Sequence, residues 1–574
     1  MKTTWILITF VVTMLCVAIP RVDAQGGFRI SGKVVSSTTG TPLGRAKVTI
    51  ADVQNRERTA STITADDGAF AFANLPAGKY SLTAARRGFI ESAYMQHANY
   101  STAIATGGDA DSEHLIFRLT PQAIVTGRVV DEVGDPVRRA RLTLYRQEQV
   151  TGIGQVRPVT TSLTDDRGTY EFAELAAGTY FLSASARPWY ALNSRSMRTA
   201  GESSTTRNSD GSYTTEMHEP KVILQQAMPG FDVAYPTTYY PEASDSDEAT
   251  PIPLRGGERL TVDMHLNPVP ALRVVVRTSA REGGGSGMPQ ITRRSFDSWE
   301  SVFPMFTYGG PDPDEYRQSM VNRIGPGEAE LAGIPAGKYM LRLPARPDSG
   351  AQWEVDLTQD GQEVTPSAGD ASGGAKFAVH IAGEAQVPQR LMLALRTPEH
   401  RVIRAAPVDA QGKCEMGDVP PGKYDLLAAT PNTDYVVAAL AINGSASRGR
   451  ELEMAGGNSI DAAVTIVAGK ATVQGVANRQ GKAMAGAMIV LVPKDPDGHL
   501  ELFRRDQSDS DGTFSLPNVI PGEYTVVAIE DGWDLHWSEP GVIEHYVPKG
   551  QKVVVPANER GTVRLAGAVE VREK

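Results

Sequence analysis

The sequence predicts an all-β protein, a tandem array of about five small β-sandwiches behind a leader peptide. Three observations predict it. A stretch of about sixteen residues recurs five times along the chain. Inside each copy, apolar side chains alternate with small or polar ones, the period of a strand with one buried face. No amphipathic helix of a dozen residues interrupts the many short segments, which are punctuated by Gly, Pro and Asp-Gly.

The leader comes first. Lys2 is a short basic region, Trp5 to Ile19 is apolar, Pro20 breaks the run, and Val22-Asp23-Ala24 suits a cleavage site. Residues 1–24 therefore read as a signal peptide, with Gln25 starting the mature chain. The apolar run is shorter than the ~20 residues a span needs, and no later stretch is longer. The expected location is secreted, periplasmic or at the cell surface, with no membrane span after cleavage near Ala24. The chain is acidic, at a formal net charge of −10, and has no basic run. That excludes a nucleic-acid partner on electrostatic grounds. Cys16 lies in the leader, so Cys414 is the only cysteine beyond it and no internal disulfide is expected. Each unit must hold together by its own apolar core.

The five copies align on a glycine, at Gly68, Gly168, Gly327, Gly412 and Gly512. A second follows at Gly78, Gly178, Gly337, Gly422 and Gly522, and two residues later comes Tyr80, Tyr180, Tyr339, Tyr424 or Tyr524. So regular a repeat is one structural unit written five times. Between the glycines, Phe70/Phe72, Tyr170/Phe172, Cys414/Met416 and Phe514/Leu516 mark a half-buried strand; Ala329/Leu331 is the weaker pair of the third copy. The tight loop after Leu75 and its counterparts uses Pro to fix φ on entry, and the second glycine is expected to supply φ > 0 on exit. The tyrosines then face the core from the next strand. Such a strand pair cannot bury its face alone. Flanking runs such as "ISGKVV" and "RAKVTI" supply the remaining strands.

The predicted units are 25–121, 122–270 with a polar insert over 190–240, a degenerate unit 271–372 with an insert over 280–325, 373–469 and 470–574. "SGKVV…GTPLGRAKVTI…TADDGAFAFANLPAGKYSLTAARRGF" and "VTGRVVDEVGDPVRRARLTLY…DDRGTYEFAELAAGTYFLSAS" resemble the carboxypeptidase regulatory-like domain, exported bacterial type. The resemblance implies a transthyretin-like (prealbumin-like) or Cna-B-like β-sandwich, grouped with starch-binding-like folds. It covers units one, two and five well, unit four in its second half, and unit three least, because "ALRVVVRTSA" lacks the glycine.

The candidate chemistry is sparse. His536 and Glu539 fit the short His-x-x-Glu spacing of a zinc site, with His545 beyond, but only 35 residues follow Glu539, too few for a catalytic domain. His218-Glu219 lacks the second histidine of a zinc-protease helix. The acidic runs Asp506/Asp509/Asp511, Asp245/Asp247/Glu248 and Asp312/Asp314/Glu315 do not match a calcium loop and read as solvated turns. Cna-B-like domains sometimes carry a Lys–Asn isopeptide bond; Lys33 has no assignable partner. Cys414 reads as a buried thiol. No catalytic, cofactor or metal residue is assigned.

Aromatic residues are the better lead, because sugar rings stack on Trp and Tyr faces. Trp533, Trp537 and Tyr546, with Asp531 and Asp534 as acceptors for sugar hydroxyls, form the candidate carbohydrate site in a loop-like segment of unit five. Trp189 and Tyr190 stand at the equivalent place in unit two; Trp299, Phe303, Phe306 and Tyr308 form a third group. Packing of these rings between units is the competing reading. The sequence thus points to a non-enzymatic exported structural or binding protein of the cell envelope or exterior, with polysaccharide or other envelope proteins as partners. Carbohydrate binding is the alternative, and a metal-dependent hydrolase the remote one.

Overall fold

The computed structural model describes residues 27–574 except 108–110, 151, 192–195, 199–202, 218–221, 225–229, 278–287, 303–320, 326, 344–350, 385, 399–400, 432, 448, 497–498, 540 and 558. The leader, His218-Glu219, Phe303, Phe306, Tyr308 and Asp312/Asp314/Glu315 lie outside the described residues. Regular structure is almost entirely strand; helical elements are three-residue 3-10 turns such as Ser246–Glu248 and Gly532–Asp534. No helix among the described residues is long and apolar enough to cross a membrane.

Five apolar cores follow one another without overlap. They run from Ile30 to Leu119, Ala123 to Leu266, Leu272 to Val364, Ala375 to Ile466 and Ala471 to Val571. In unit one, strand Phe28–Ser36 lies between Ala69–Leu75, antiparallel, and Leu115–Leu119, parallel. The facing sheet orders Thr59–Ile63, Lys47–Asp52 and Gly78–Ala85, with Ile104–Thr106 beyond. The opening strand of each later unit repeats both pairings: antiparallel to the first repeat strand and parallel to a strand near the end of its unit. In units four and five, Asp434–Ile442 and Val569–Arg572 bridge the two sheets into one continuous sheet.

The repeat residues have local physical reasons. The first glycine has φ between +73° and +79° in all five copies. A Cβ at Gly68, Gly168 or Gly512 would also lie 2.5 Å from a backbone carbonyl of the opening strand. Only glycine meets both demands. The tyrosines are buried, and each hydroxyl donates to the carbonyl four residues earlier: Tyr80 to Pro76, Tyr180 to Ala176, Tyr339 to Pro335, Tyr424 to Pro420 and Tyr524 to Ile520. The ring fills the core and the hydroxyl ties down the loop.

The second glycine supplies the expected positive φ in units three and four, at Gly337 (φ 153°) and Gly422 (φ 152°), but not in the other three. Gly78, Gly178 and Gly522 do not adopt positive φ. The left-handed residue sits earlier, at Asn74, Glu174, Gly333, Asp418 and Asn518, inside a bulge against the opening strand. The bulge turns the strand before the loop begins, so in units one, two and five the loop exit needs no positive φ.

Adjacent units are joined by named contacts. The Gln122 main-chain N–H donates to Gly88 O at 2.9 Å between units one and two. Between two and three, Tyr145, Tyr239 and Phe296 share one buried cluster; Tyr145 donates to Glu300 Oε1 at 2.7 Å, and Tyr239 to Ser295 Oγ at 2.9 Å. Arg342 pairs with Asp418 between three and four, and Arg450 with Glu501 between four and five. Unit five then docks on unit one, closing the five units into a ring.

Candidate functional site

The candidate aromatic segment lies on the outer face of a unit-five sheet. Its strand Met488–Pro493 is buried at all six positions, because the inner face meets the sandwich core and the outer face meets this segment. Trp537 and Tyr546 are 4% and 8% exposed, within a cluster that includes Val490, Phe503, Val527 and Ile543. Trp537 packs on Phe503 with ring centroids 5.4 Å apart. The expected solvent-facing presentation of Trp537 and Tyr546 is therefore not what the fold provides: both rings are spent covering the sheet.

Trp533 is half-buried and carries a ring from unit one. The His97 imidazole stacks on it at 4.7 Å and 3°, and Tyr100 lies 5.7 Å away. The Arg505 guanidinium sits over three rings, 4.9 Å from Tyr100, 5.4 Å from Trp537 and 5.6 Å from Trp533. Asp531 and Asp534 are exposed, and Asp534 pairs with Lys574. The five candidate residues are thus brought into one neighbourhood, but the site around them is an inter-unit packing cluster.

The acidic run of unit five completes this junction. In units two and four, the aspartate three before the glycine caps its own turn: Asp165 Oδ1 accepts from Arg167 and Thr169 N–H, and Asp409 Oδ1 from Gln411 and Lys413 N–H. In unit five, Asp511 caps the turn by accepting from Thr513 N–H. Asp509 is released to face unit one, where its Oδ1 accepts from Ala103 N–H at 2.9 Å and its Oδ2 pairs with Lys79. Ser510 N–H donates to Ala103 O, and Ala105 N–H to Ser510 Oγ. Lys79 Nζ also lies 3.4 Å from Asp511, so an ammonium occupies the place where a cation would be sought. Gln507, 1% exposed, donates to Met95 O and Thr102 Oγ1, and accepts from His97 Nδ1 at 3.1 Å.

Charge follows burial here. Burial pushes the Asp506 carboxyl up to about 6, with Asp509 repelling its charge and Lys79 opposing. Burial also raises Asp509. Burial pushes Asp511 upward too, but hydrogen bonds from Thr513 and Lys79 outweigh it and hold the group below the usual range.

The remaining candidates are accounted for by packing or pairing. His536 Nδ1 and Glu539 Oε1 bond each other at 2.7 Å, and His545 packs edge-on to Tyr546. No three His, Cys, Asp or Glu side chains converge on a metal-sized point among the described residues. Cys414 is buried and its thiol is pushed up to about 11, the opposite of an activated nucleophile. Lys33 pairs with Asp67 at 3.3 Å. Asp245 caps the turn Ser246–Glu248. Arg401 lies over Trp299. Trp189 is different: 89% exposed, edge-on to Tyr190, whose hydroxyl donates to Glu132 at 2.6 Å. An open groove of about 800 Å³ in unit two is lined by Arg128, Ser162, Glu171 and Asp263 among others.

The model of the carboxypeptidase regulatory-like domain matches residues 29–107 and 124–205, the bodies of units one and two. No curated protein matches the chain. Among solved structures, the Bacillus anthracis TIE protein is 10% identical, with 77% of this chain and 75% of that one covered at a TM-score of 0.16. A streptococcal ancillary pilin is 12% identical, with 51% and 98% covered at 0.18. A minor pilin of Streptococcus agalactiae is 13% identical, with 42% and 96% covered at 0.20. Likenesses this weak carry no functional argument.

Proposed function

With two of its five units being carboxypeptidase regulatory-like domains, we propose that this chain is a non-enzymatic structural protein of the cell envelope or exterior, with other envelope proteins as partners. The observation that supports this most is how its polar and aromatic side chains are used. Residues that read as catalytic or metal-ligating candidates serve as caps, ion pairs or inter-unit contacts. The leader pattern of residues 1–24 supports export. Fractionation of producing cells with N-terminal sequencing tests this: the expected product lies outside the cytoplasm and begins at Gln25. A full-length cytoplasmic product would overturn it. Metal analysis of the purified chain is expected to find no stoichiometric zinc, and one tightly bound zinc per chain would reopen the hydrolase reading.

Carbohydrate binding is a second reading, favoured by the exposed Trp189 beside a tyrosine and a carboxylate. Polysaccharide retention by the intact protein tests it. Loss on Trp189→Ala supports a unit-two surface, and loss on Trp533→Ala with an unchanged Tm supports the unit-five segment. A wild type that retains no polysaccharide ends both.

A further inference from the structure

We propose that the joint between units one and five is also a docking surface for a second copy of this chain, so that opened chains pair head to tail, unit five of one on unit one of the next.

The joint differs from its neighbours in kind. Units two and three share a buried apolar cluster of Tyr145, Tyr239 and Phe296. Units one and five share none: each keeps its own core, and they meet through a turn laid on strand Ile104–Thr106, an ion pair and stacked rings. Separating such surfaces exposes groups that water solvates well, so the open state is accessible. Two carboxylates, Asp509 and Asp511, share the one ammonium of Lys79, so the ion pairing across the closed joint is not matched one to one. Beside it, unit five also touches the unit-two hairpin: a Cβ at Gly152 would lie 2.6 Å from the Trp537 ring. There Trp537 Nε1, Ser538 Oγ and Gln149 Oε1 are buried without a hydrogen-bond partner among the described residues. The fit is incomplete where the ring closes.

The two faces are nonetheless specific. Gly486 leaves room for Met95, whose methyl would lie 2.4 Å from a Cβ there. His97, Gln507 and Thr102 form a directional hydrogen-bond chain. The faces are complementary and not identical, which makes the contact heterologous. Every chain carries one of each, so two open chains satisfy each other by closing as a dimer. In the wild type, the tethered partner is at high effective concentration and the closed monomer prevails.

Charge reversal separates the two cases. Lys79→Glu and Asp509→Lys chains are prepared separately and then mixed, each shown folded by circular dichroism. Either alone places like charges across its own joint. In the mixture, the introduced carboxylate of one chain meets the introduced ammonium of the other, while the native pair is restored at the second joint. The expected result is a species of twice the chain mass, by light scattering, in the mixture only. The Lys79→Glu/Asp509→Lys double variant should return to a closed monomer, which shows that both faces survive substitution. A mixture that stays monomeric, or a dimer formed equally by either variant alone, overturns the proposal.

Discussion

At the scale of single residues, the repeat tyrosines do two things at once. Tyr524 fills the core of unit five with its ring and donates its hydroxyl to Ile520 O at 2.8 Å. Tyr524→Ala is expected to cost ~3–5 kcal/mol by leaving a cavity. Tyr524→Phe keeps the volume and orphans only the carbonyl, so about 1 kcal/mol is expected. Thermal unfolding of the full chain, followed through unit five, separates the two; equal losses would mean that the hydroxyl, not the ring, dominates. The constant phase of the tyrosines makes their burial readable from sequence. The hydroxyl's partner is not readable, because it depends on the loop path. Asp506 gives a pH signature. Its folded value of about 6 lies above the ordinary 3.8, so its contribution to stability is fully present below pH 3.8 and is lost as pH rises through 6. That difference corresponds to something on the order of 3 kcal/mol. The wild-type Tm should fall between pH 4 and pH 7 more steeply than that of Asp506→Asn. Asp509 acts in the same direction and Asp511 in the opposite one, so the difference between wild type and variant is the quantity to read. Parallel pH profiles would exclude the assignment.

At the scale of elements, the bulge is the part of the repeat that sequence reasoning missed, while positive φ at the second glycine holds in units three and four alone. The first glycine was legible, because its need is local and all five copies share it. The left-handed position was less so, because no single residue type fills it: Asn74 and Asn518 share one, but Glu174, Gly333 and Asp418 each differ. Four of the five suit the left-handed region; Glu174, exposed and at φ 59°, does not. Glu174→Asn is expected to stabilise unit two by about 1 kcal/mol, read as a rise in Tm. No rise would mean that the backbone has relaxed around the glutamate. The strand Met488–Pro493 carries a comparable signal. Its unbroken apolar run marks a strand covered on both faces, and it is the clue that the following tryptophans belong to a second layer.

At the scale of the molecule, the joints decide how independently the units behave. Phe296 contacts Tyr145, Phe181 and Tyr239 across the junction of units two and three. Phe296→Ala is expected to cost ~3–5 kcal/mol and to split the unfolding of these two units into separate calorimetric transitions. A single unaltered transition would show that the coupling between the units does not run through Phe296. The unit-one partners of Trp533 could not be read from sequence, because His97 and Tyr100 lie at the far end of the chain and no local pattern links them. Asp509 was the available hint. Unit five alone carries aspartate both three before and one before its glycine, so one of the two is spare. The strand order has a consequence of its own, in time and not in space. Each opening strand is zipped in parallel to a strand near the end of its unit, as Gly32–Ser36 is to Leu115–Leu119 and Ile124–Thr126 to Arg259–Thr261. No unit can complete its sheet until its last segment has been synthesised, and such long-range pairing is slow. A growing or translocating chain therefore keeps its newest unit unfolded and threadable until that segment emerges, and unit two, with the longest interval between its paired strands, stays so longest.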